Sequence, residues 1–392
     1  MNCLLTNIEK SRQLAINWLL NSGIQNFDPK DEHLGGFNAW YDEKNDYYPF
    51  IYAEITGYLV NLHLFLYDQT KEKKYLERAI LAGDWILRNQ SYHSVIQCLF
   101  SVHQTIFNHK ANYAYAFDNG IIINSLTNLY QISKDEKYLE AAKDVATWLI
   151  NNLQKNNGSF YYAYDILKNR FYEDEERISW STTSGSFIAK MAIGLLNLFD
   201  VTQKALFKRA ALRLLNYSAC FQREAGNFYS YPVYKGTHFH PHSYSLEAFL
   251  ICGFYLNDQK MLGIAKKGIF WNFSHQKRNG AFPRKWHQGK FIYRERIDIL
   301  AQNLRLGILA RYLGFFDEAN FDPKLERTAK RLLSFQSGHK NIKAYGGFNF
   351  DGNQKKRLNH VNVWVTAFAI QALIYYLLWQ RKQLTLAPFL FV

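Results

Sequence analysis

Three carboxylates stand just ahead of long apolar runs. They are Glu54 in "YAEITGY", Asp118 in "AFDNG" and Asp298 in "RIDILAQ". Carboxylates brought together across a cleft can act as general acid and base on a glycosidic bond. The alternative for Asp118 is helix capping, because a short polar side chain can satisfy first-turn N–H groups. Glutamate is a poor cap, so Glu54 suits the catalytic reading better. A second string, "THFHPHSYSLE", puts His238, His240 and His242 at alternate positions. Extended, they could bind a metal. Pro241 makes the backbone irregular, however, and no cysteine or acid cluster accompanies them, so no metal is expected. Proton transfer or hydrogen bonding to a substrate is the functional reading, and plain polar loop residues are the alternative. "RLNHVNVW" adds His360, Asn362 and Trp364. Arg294, Arg296 and Arg305 flank or follow Asp298. Arg305 falls two turns beyond Asp298, so either the two pair or the arginine clamps a substrate carboxylate or sulfate. Trp40, Trp180, Trp286 and Trp364 fall in loops or at helix starts, where rings can stack on sugar faces. Trp85 and Trp148 lie inside amphipathic segments and read as core. The candidate catalytic set is therefore Glu54, Asp118, Asp298, His242 and His360. The candidate binding set is Tyr52, Trp180, His240, Tyr244, Arg296, Arg305, Asn362 and Trp364.

Composition narrows the partners. The formal net charge is +14. That is either a generally basic surface or a field that assists an anionic partner. The chain has no long Lys/Arg block, zinc knuckle or RNA-binding signature, so nucleic acid is disfavoured and an acidic oligo- or polysaccharide fits. Cys3, Cys98, Cys220 and Cys252 form no CxxC pair. GxGxxG, Walker A, GxSxG and HExxH strings are missing from the sequence, so no cofactor is expected. The first twenty residues do not read as a leader, and "VTAFAIQALIYYLLW" is short for a membrane span and contains Gln371. A cytoplasmic protein without a membrane span is expected, and homodimer formation is left open.

The elements that would position these residues form a repeat. "YLERAILAGDWILRNQ" (75–90) and "YLEAAKDVATWLINNLQ" (138–154) are near copies, with apolar residues at helical spacing. Weaker relatives occur at 11–23, 207–222, 261–276 and 325–336, which makes six amphipathic helices. Between them lie six segments apolar on all sides, including "AEITGYLVNLHLFLY", "WSTTSGSFIAKMAIGL" (180–195) and "HVNVWVTAFAIQALIYYLL". A helix that is apolar all round is buried all round. Six pairs at a spacing of about 60 residues predict an all-α, closed (α/α)6 toroid spanning residues 1–392 as one domain. An open solenoid is the alternative. In a toroid the inner helices all start at one rim, and that rim would collect the polar clusters.

"YAEITGYL", "YLERAILAGDWILRNQ", "FDNGIIINSL" and "YLEAAKDVATWL" resemble the six-hairpin glycosidase-like proteins encoded with bacterial exopolysaccharide and capsule biosynthesis enzymes (VpsJ-type). The resemblance runs over nearly the whole chain and is strongest from Gly35 to Asp165. It implies an (α/α)6 toroid acting on a glycan, with Glu54 and Asp118 as rim acids. The wider superfamily holds glycoside hydrolases, unsaturated glucuronyl hydrolases, polysaccharide lyases and sugar epimerases, so the fold does not fix the reaction. An epimerase pattern would use paired histidines, here His242 and His360. A lyase pattern would use Tyr244 or His242 with Asn362 or Arg305. "QKNNGSF", "QREAGNF" and "QKRNGAF" are also similar to the Q-x-x-x-G-x-W repeats of squalene and terpene cyclases. Here Phe replaces Trp and no DxDD is present, so a helix stop with a loop anchor accounts for them. The sequence favours an enzyme on an anionic bacterial polysaccharide, most simply a hydrolase. A non-catalytic glycan-binding factor and a protein scaffold are the other classes.

Overall fold

A computed structural model describes residues 3–91, 99–101, 112–174, 181–352 and 360–392. Trp180 and Cys98 lie outside the described residues. Among those described, twelve helices alternate between two rings. The outer ring is α1 (Cys3–Asn21), α3 (Lys73–Arg88), α5 (Glu136–Asn152), α7 (Ala205–Ala219), α9 (Gln259–Ser274) and α11 (Glu318–Leu333). The inner ring is α2 (Ala53–Thr70), α4 (Ala116–Ser133), α6 (Met191–Thr202), α8 (Phe239–Leu256), α10 (Ile297–Tyr312) and α12 (Val363–Gln380).

Sequence pattern sorts the rings. In α3 only Tyr75, Ala79, Ala82, Gly83, Trp85 and Ile86 are buried, one stripe at helical spacing. In α8 everything from Phe239 to Gly253 is buried. On one face the turns between paired helices are short. There α2, α4, α6 and α8 end on Lys71, Lys134, Gln203 and Asn257, each in the left-handed conformation. Asp135, Asp258 and Asp317 then cap α5, α9 and α11. The opposite face carries the long loops and all the small sheets.

The ring closes. Helix α12 packs on α2, α10 and α1. The chain-end loops pair at the rim, with Trp40 opposite Asn362 and Phe348 opposite Asn362 on its other edge. A recurring latch assists. The Gln336 amide donates to Gly346 O at 2.7 Å and to Ser11 O of α1 at 2.8 Å. Gln25, Gln154 and Gln222 do the same for α3, α7 and α9. Gly346 has φ +93°, and an added Cβ would sit 2.5 Å from Leu14 O. Only glycine allows that approach. The glycine-aromatic strings are therefore latches between successive outer helices, and the one after α11 joins the end of the ring to its start.

One expectation needs correction. The third inner helix does not begin at Trp180. Residues 181–185 are non-helical, a 3-10 turn spans Ser186–Lys190, and α6 starts at Met191. Gly185 is extended, at φ −105° and ψ −170°, and the next N–H, of Ser186, bonds the Ser230 carbonyl at 3.2 Å instead of a carbonyl one turn earlier. The "VTAFAIQALIYYLLW" run belongs to a helix that, by length and composition, could cross a membrane, but 78% of that window is buried inside the ring. Its apolar surface serves the core. The base of the ring is filled by the last residues: Pro388–Leu390 packs on α2, α4, α6 and α8, and Phe389 O accepts from Asn124 and Asn128.

Candidate active site

The inner-helix starts surround a cavity of about 330 Å3 at the loop-rich rim. Glu54, Asp118, His240, Arg296 and Trp364 reach it from the first turns, or the residue just before, of α2, α4, α8, α10 and α12. Tyr52, Tyr58, Tyr115, Tyr162, Tyr244, Trp40 and Phe350 supply an aromatic wall, and Ser181–Thr183 supply hydroxyls. Aromatic faces with a few convergent polar groups are what a sugar site requires.

Glu54 and Asp118 come together because α2 and α4 pack closely. An added Cβ on Gly57 would meet Ile122 and Ser125 of α4 at 3.4 Å. Neither acid caps its helix. The caps are Tyr52 and Tyr115, whose side chains make no cap bond. Both carboxyls instead line the cavity beside Tyr52, which lowers the pKa of each. Asp118 is buried, and Glu54 is half-buried because it opens to the cavity. Burial pushes Glu54 up to about 7, partly offset by Lys190 and by the Tyr58 and Tyr52 hydroxyls. Burial, and then the Glu54 charge, drive Asp118 well above the ordinary carboxylate range. Two like-charged groups in one dry site cannot both ionise cheaply, so Asp118 keeps its proton while Glu54 titrates near neutrality.

Asp298 is the third carboxylate, set one layer back. Its Oδ1 accepts from Arg296 Nε at 3.2 Å and from Ile299 N at 2.8 Å. Its Oδ2 accepts from Arg296 Nη2 and from Trp364 Nε1 at 3.4 Å, and lies 3.3 Å from His240 Nδ1. Burial would raise its pKa, but Arg296 and His240 outweigh that and hold it low. An ionised, fully occupied carboxylate is a poor acid catalyst. Here it fixes Arg296, His240 and Trp364 in the wall. Burial pushes His240 down to about 3, so its ring is neutral. Its Nδ1 also lies 2.9 Å from Gln302 Oε1.

Beneath the floor is a charged cluster that the sequence reading only half anticipated. Lys190 Nζ contacts Glu247 Oε2 at 2.8 Å, and Arg305 Nη2 contacts Glu247 Oε1 at 2.7 Å. Val392 O accepts from both cations. Lys190 lies over the rings of Tyr58 and Tyr244 at 4.8 and 4.4 Å. Burial pulls it down to about 8, against the pull of Glu247. The available signal for Lys190 was one cation inside an otherwise apolar string.

Four candidates take structural places. Arg305 is fully buried and pairs with Glu247, Gln371 and Val392 O, not with Asp298 or the cavity. Asn362 caps α12, its Oδ1 accepting from Val365 N at 3.1 Å. His242 turns outward between α8 and α9, against Trp271 and Phe228. Its Nδ1 accepts Phe228 N–H at 3.3 Å, as Thr56 accepts Phe37 N–H and Thr366 accepts Phe348 N–H. It is a latch residue of the repeat. The histidine string is not extended, because α8 starts at Phe239 and successive side chains swing about 100° apart. His360 sits behind the wall, its ring between Trp40 at 4.7 Å and Phe350 at 5.1 Å. Tyr52, His240, Tyr244, Arg296 and Trp364 line the cavity. Among the described residues no group of three or more His, Cys, Asp or Glu could hold a metal.

The two closed helix rings make the fold an (α/α)6 toroid. Residues 101–260 match the sequence profile of glycosyl hydrolase family 76. No curated protein matches the chain in sequence. The structure is similar to cellobiose 2-epimerase from Bacillus thermoamylovorans B4167, with TM-score 0.77 and 11% identity over 96% of this chain and 99% of that one. It is similar to a D-mannose isomerase, with TM-score 0.74 and 13% identity over 94% and 97%. It is also similar to an unsaturated glucuronyl hydrolase from Bacillus sp. GL1, with TM-score 0.65 and 13% identity over 93% and 96%. At these identities the likeness establishes the fold.

Proposed function

We propose that this chain is a carbohydrate-active enzyme that hydrolyses a glycosidic bond in an acidic poly- or oligosaccharide, with Asp118 and Glu54 as its working carboxyls. The observation that carries the reading is the pair itself: two acids that line one aromatic-walled cavity beside Tyr52, both with raised pKa values. On the retaining route of two-carboxylate glycosidases the two groups divide the work. Asp118, protonated, gives its proton to the leaving oxygen as the C–O bond breaks. Glu54, ionised, bonds to the anomeric carbon. Water then adds to that carbon, displaces Glu54 and returns a proton to Asp118. Trp40, Trp364 and the tyrosines hold the ring by stacking. The match to glycosyl hydrolase family 76 supports this chemistry, and the net charge of +14 suits an acidic substrate.

A second reading is sugar epimerisation, favoured by neutral His240 in the cavity wall with its Nδ1 held by Gln302 and Asp298. Incubation with a panel of acidic and neutral bacterial polysaccharides separates the two. New reducing ends with retained anomeric configuration by NMR support hydrolysis. The ultraviolet signal of an unsaturated uronate would mean a lyase. Conversion of a free or reducing-end sugar without cleavage would favour the epimerase.

A further inference from the structure

Beside the main cavity lies a second one of about 390 Å3, which shares His240 and Arg296 with it. Its walls come from the hairpin of Lys285–His287 and Lys290–Ile292, from the residues that lead into α10, and from His238. The local pattern explains the composition. Arg284 N bonds Ile292 O at 2.7 Å, which pairs the two arms of the hairpin. Ile292, Arg294 and Arg296 then alternate toward one face, as an extended segment must. Arg284, Lys285, Arg294 and Arg296 thus converge on one concavity.

The charges there do not balance. Among the described residues, two carboxylates face the four cations. Asp351 is shared: its Oδ2 accepts from Arg294 Nη2 at 2.9 Å and Nε at 3.2 Å, with Arg284 Nη1 3.7 Å away. Asp298 is committed to Arg296. Lys285 has no ion pair among the described residues, and Arg284 Nη1 is buried without a hydrogen-bond partner. Burial, and then Lys285, Arg296, Arg284 and His287, push His238 down to about 4. Guanidinium groups held from one side by a single carboxylate keep N–H pairs free for a planar or tetrahedral oxyanion.

We propose that this annex is an anion subsite that holds a carboxylate, sulfate or phosphate substituent on the sugar unit next to the one in the main cavity. As a subsite, it rests on the reading of the main cavity as a glycan site; as an anion site, it stands alone. Arg284 and Arg294 grip the oxyanion. Lys285 adds charge at the mouth. Arg296, stacked on Phe350 with its guanidinium 4.8 Å from the ring centroid, joins the annex to the main cavity. The neutral His238 ring adds a polar contact.

The test is binding, independent of turnover. Wild type, the double variant Arg284→Gln/Arg294→Gln and the milder Lys285→Gln are titrated calorimetrically with methyl galacturonide, sodium sulfate and sodium phosphate. Methyl galactoside serves as the neutral control, ionic strength is fixed with chloride, and circular dichroism checks folding. The wild type should bind at least one of the three anions saturably. The double variant should weaken it at least about tenfold, and Lys285→Gln should weaken it several-fold, from the loss of charge-assisted bonds. The preferred anion names the substituent. Methyl galactoside should bind wild type and variants alike. The proposal is overturned if no anion binds wild type saturably, if the variants bind anions as wild type does, or if neutral and anionic sugars bind equally. Anion binding without turnover on any polysaccharide would count against the hydrolase reading and leave the annex standing. Turnover without anion binding would do the reverse.

Discussion

Replacing Glu54 by glutamine should stabilise the protein at alkaline pH while stopping its chemistry. The wild-type carboxyl has its pKa raised from 4.5 to about 7, chiefly by burial. Between those values the folded chain holds a proton that the unfolded chain has released. Stability therefore falls as pH rises through this window, and the full penalty is present above about 7. At about 1.4 kcal/mol per pH unit the rise is worth about 3 kcal/mol. Glu54 is half-buried and opens to the cavity, so water screening brings the expected gain for Glu54→Gln to about 1–3 kcal/mol near pH 8. Near pH 4 both side chains are neutral and the difference should vanish. Urea unfolding followed by circular dichroism at the two pH values measures this directly. A variant that is no more stable than wild type near pH 8, or a difference that does not change with pH, would refute the claim that Glu54 is forced to carry its charge in a dry site.

Other perturbations follow from the same geometry. Lys190→Met removes the cation that lowers Glu54, while Arg305 still pairs Glu247. The acidic limb of the kcat/KM profile should move up by about one pH unit, and a limb that stays in place would exclude Lys190 as a positioning residue. Arg305→Met should cost about 3–5 kcal/mol, because a buried ion cluster loses a member. KM of the folded fraction should hold, whereas a raised KM would restore Arg305 as a substrate clamp. Gly346→Ala forces a Cβ toward Leu14 O at φ +93°. It should lower stability by at least about 2 kcal/mol through strain at the ring junction, and an unchanged unfolding midpoint would argue against the latch.

The fold was legible because burial is written into the helices themselves. The runs α2 and α12 are apolar on every side, and α3 and α5 have a single stripe, so two rings follow from pattern alone. Glu54 and Asp118 were legible as polar residues at the starts of buried helices. Directions and distant partners were not. His240 and His242 differ by two residues, yet one faces the cavity and the other the outer ring, because a helix boundary at Phe239 sets the rotation. The partner of Arg305 lies 58 residues earlier, at Glu247, and periodicity within α10 cannot point to it. Asn362 was read as a rim polar group, but its oxygen closes the first turn of α12. Residues 181–185 pattern as helix, but Gly185 is extended and the Ser186 N–H is spent on the Ser230 carbonyl, a partner that local pattern cannot show.

The central claim is that Asp118 and Glu54 are the groups that make and break bonds. Its most direct test is steady-state kinetics of Asp118→Asn and Glu54→Gln on the polysaccharide that wild type cleaves. The account predicts a fall in kcat of about 10²–10⁴ for each, the usual contribution of a positioned acid or base, with KM within a few-fold of wild type. Retention of kcat in both variants, or a loss confined to KM, would contradict it.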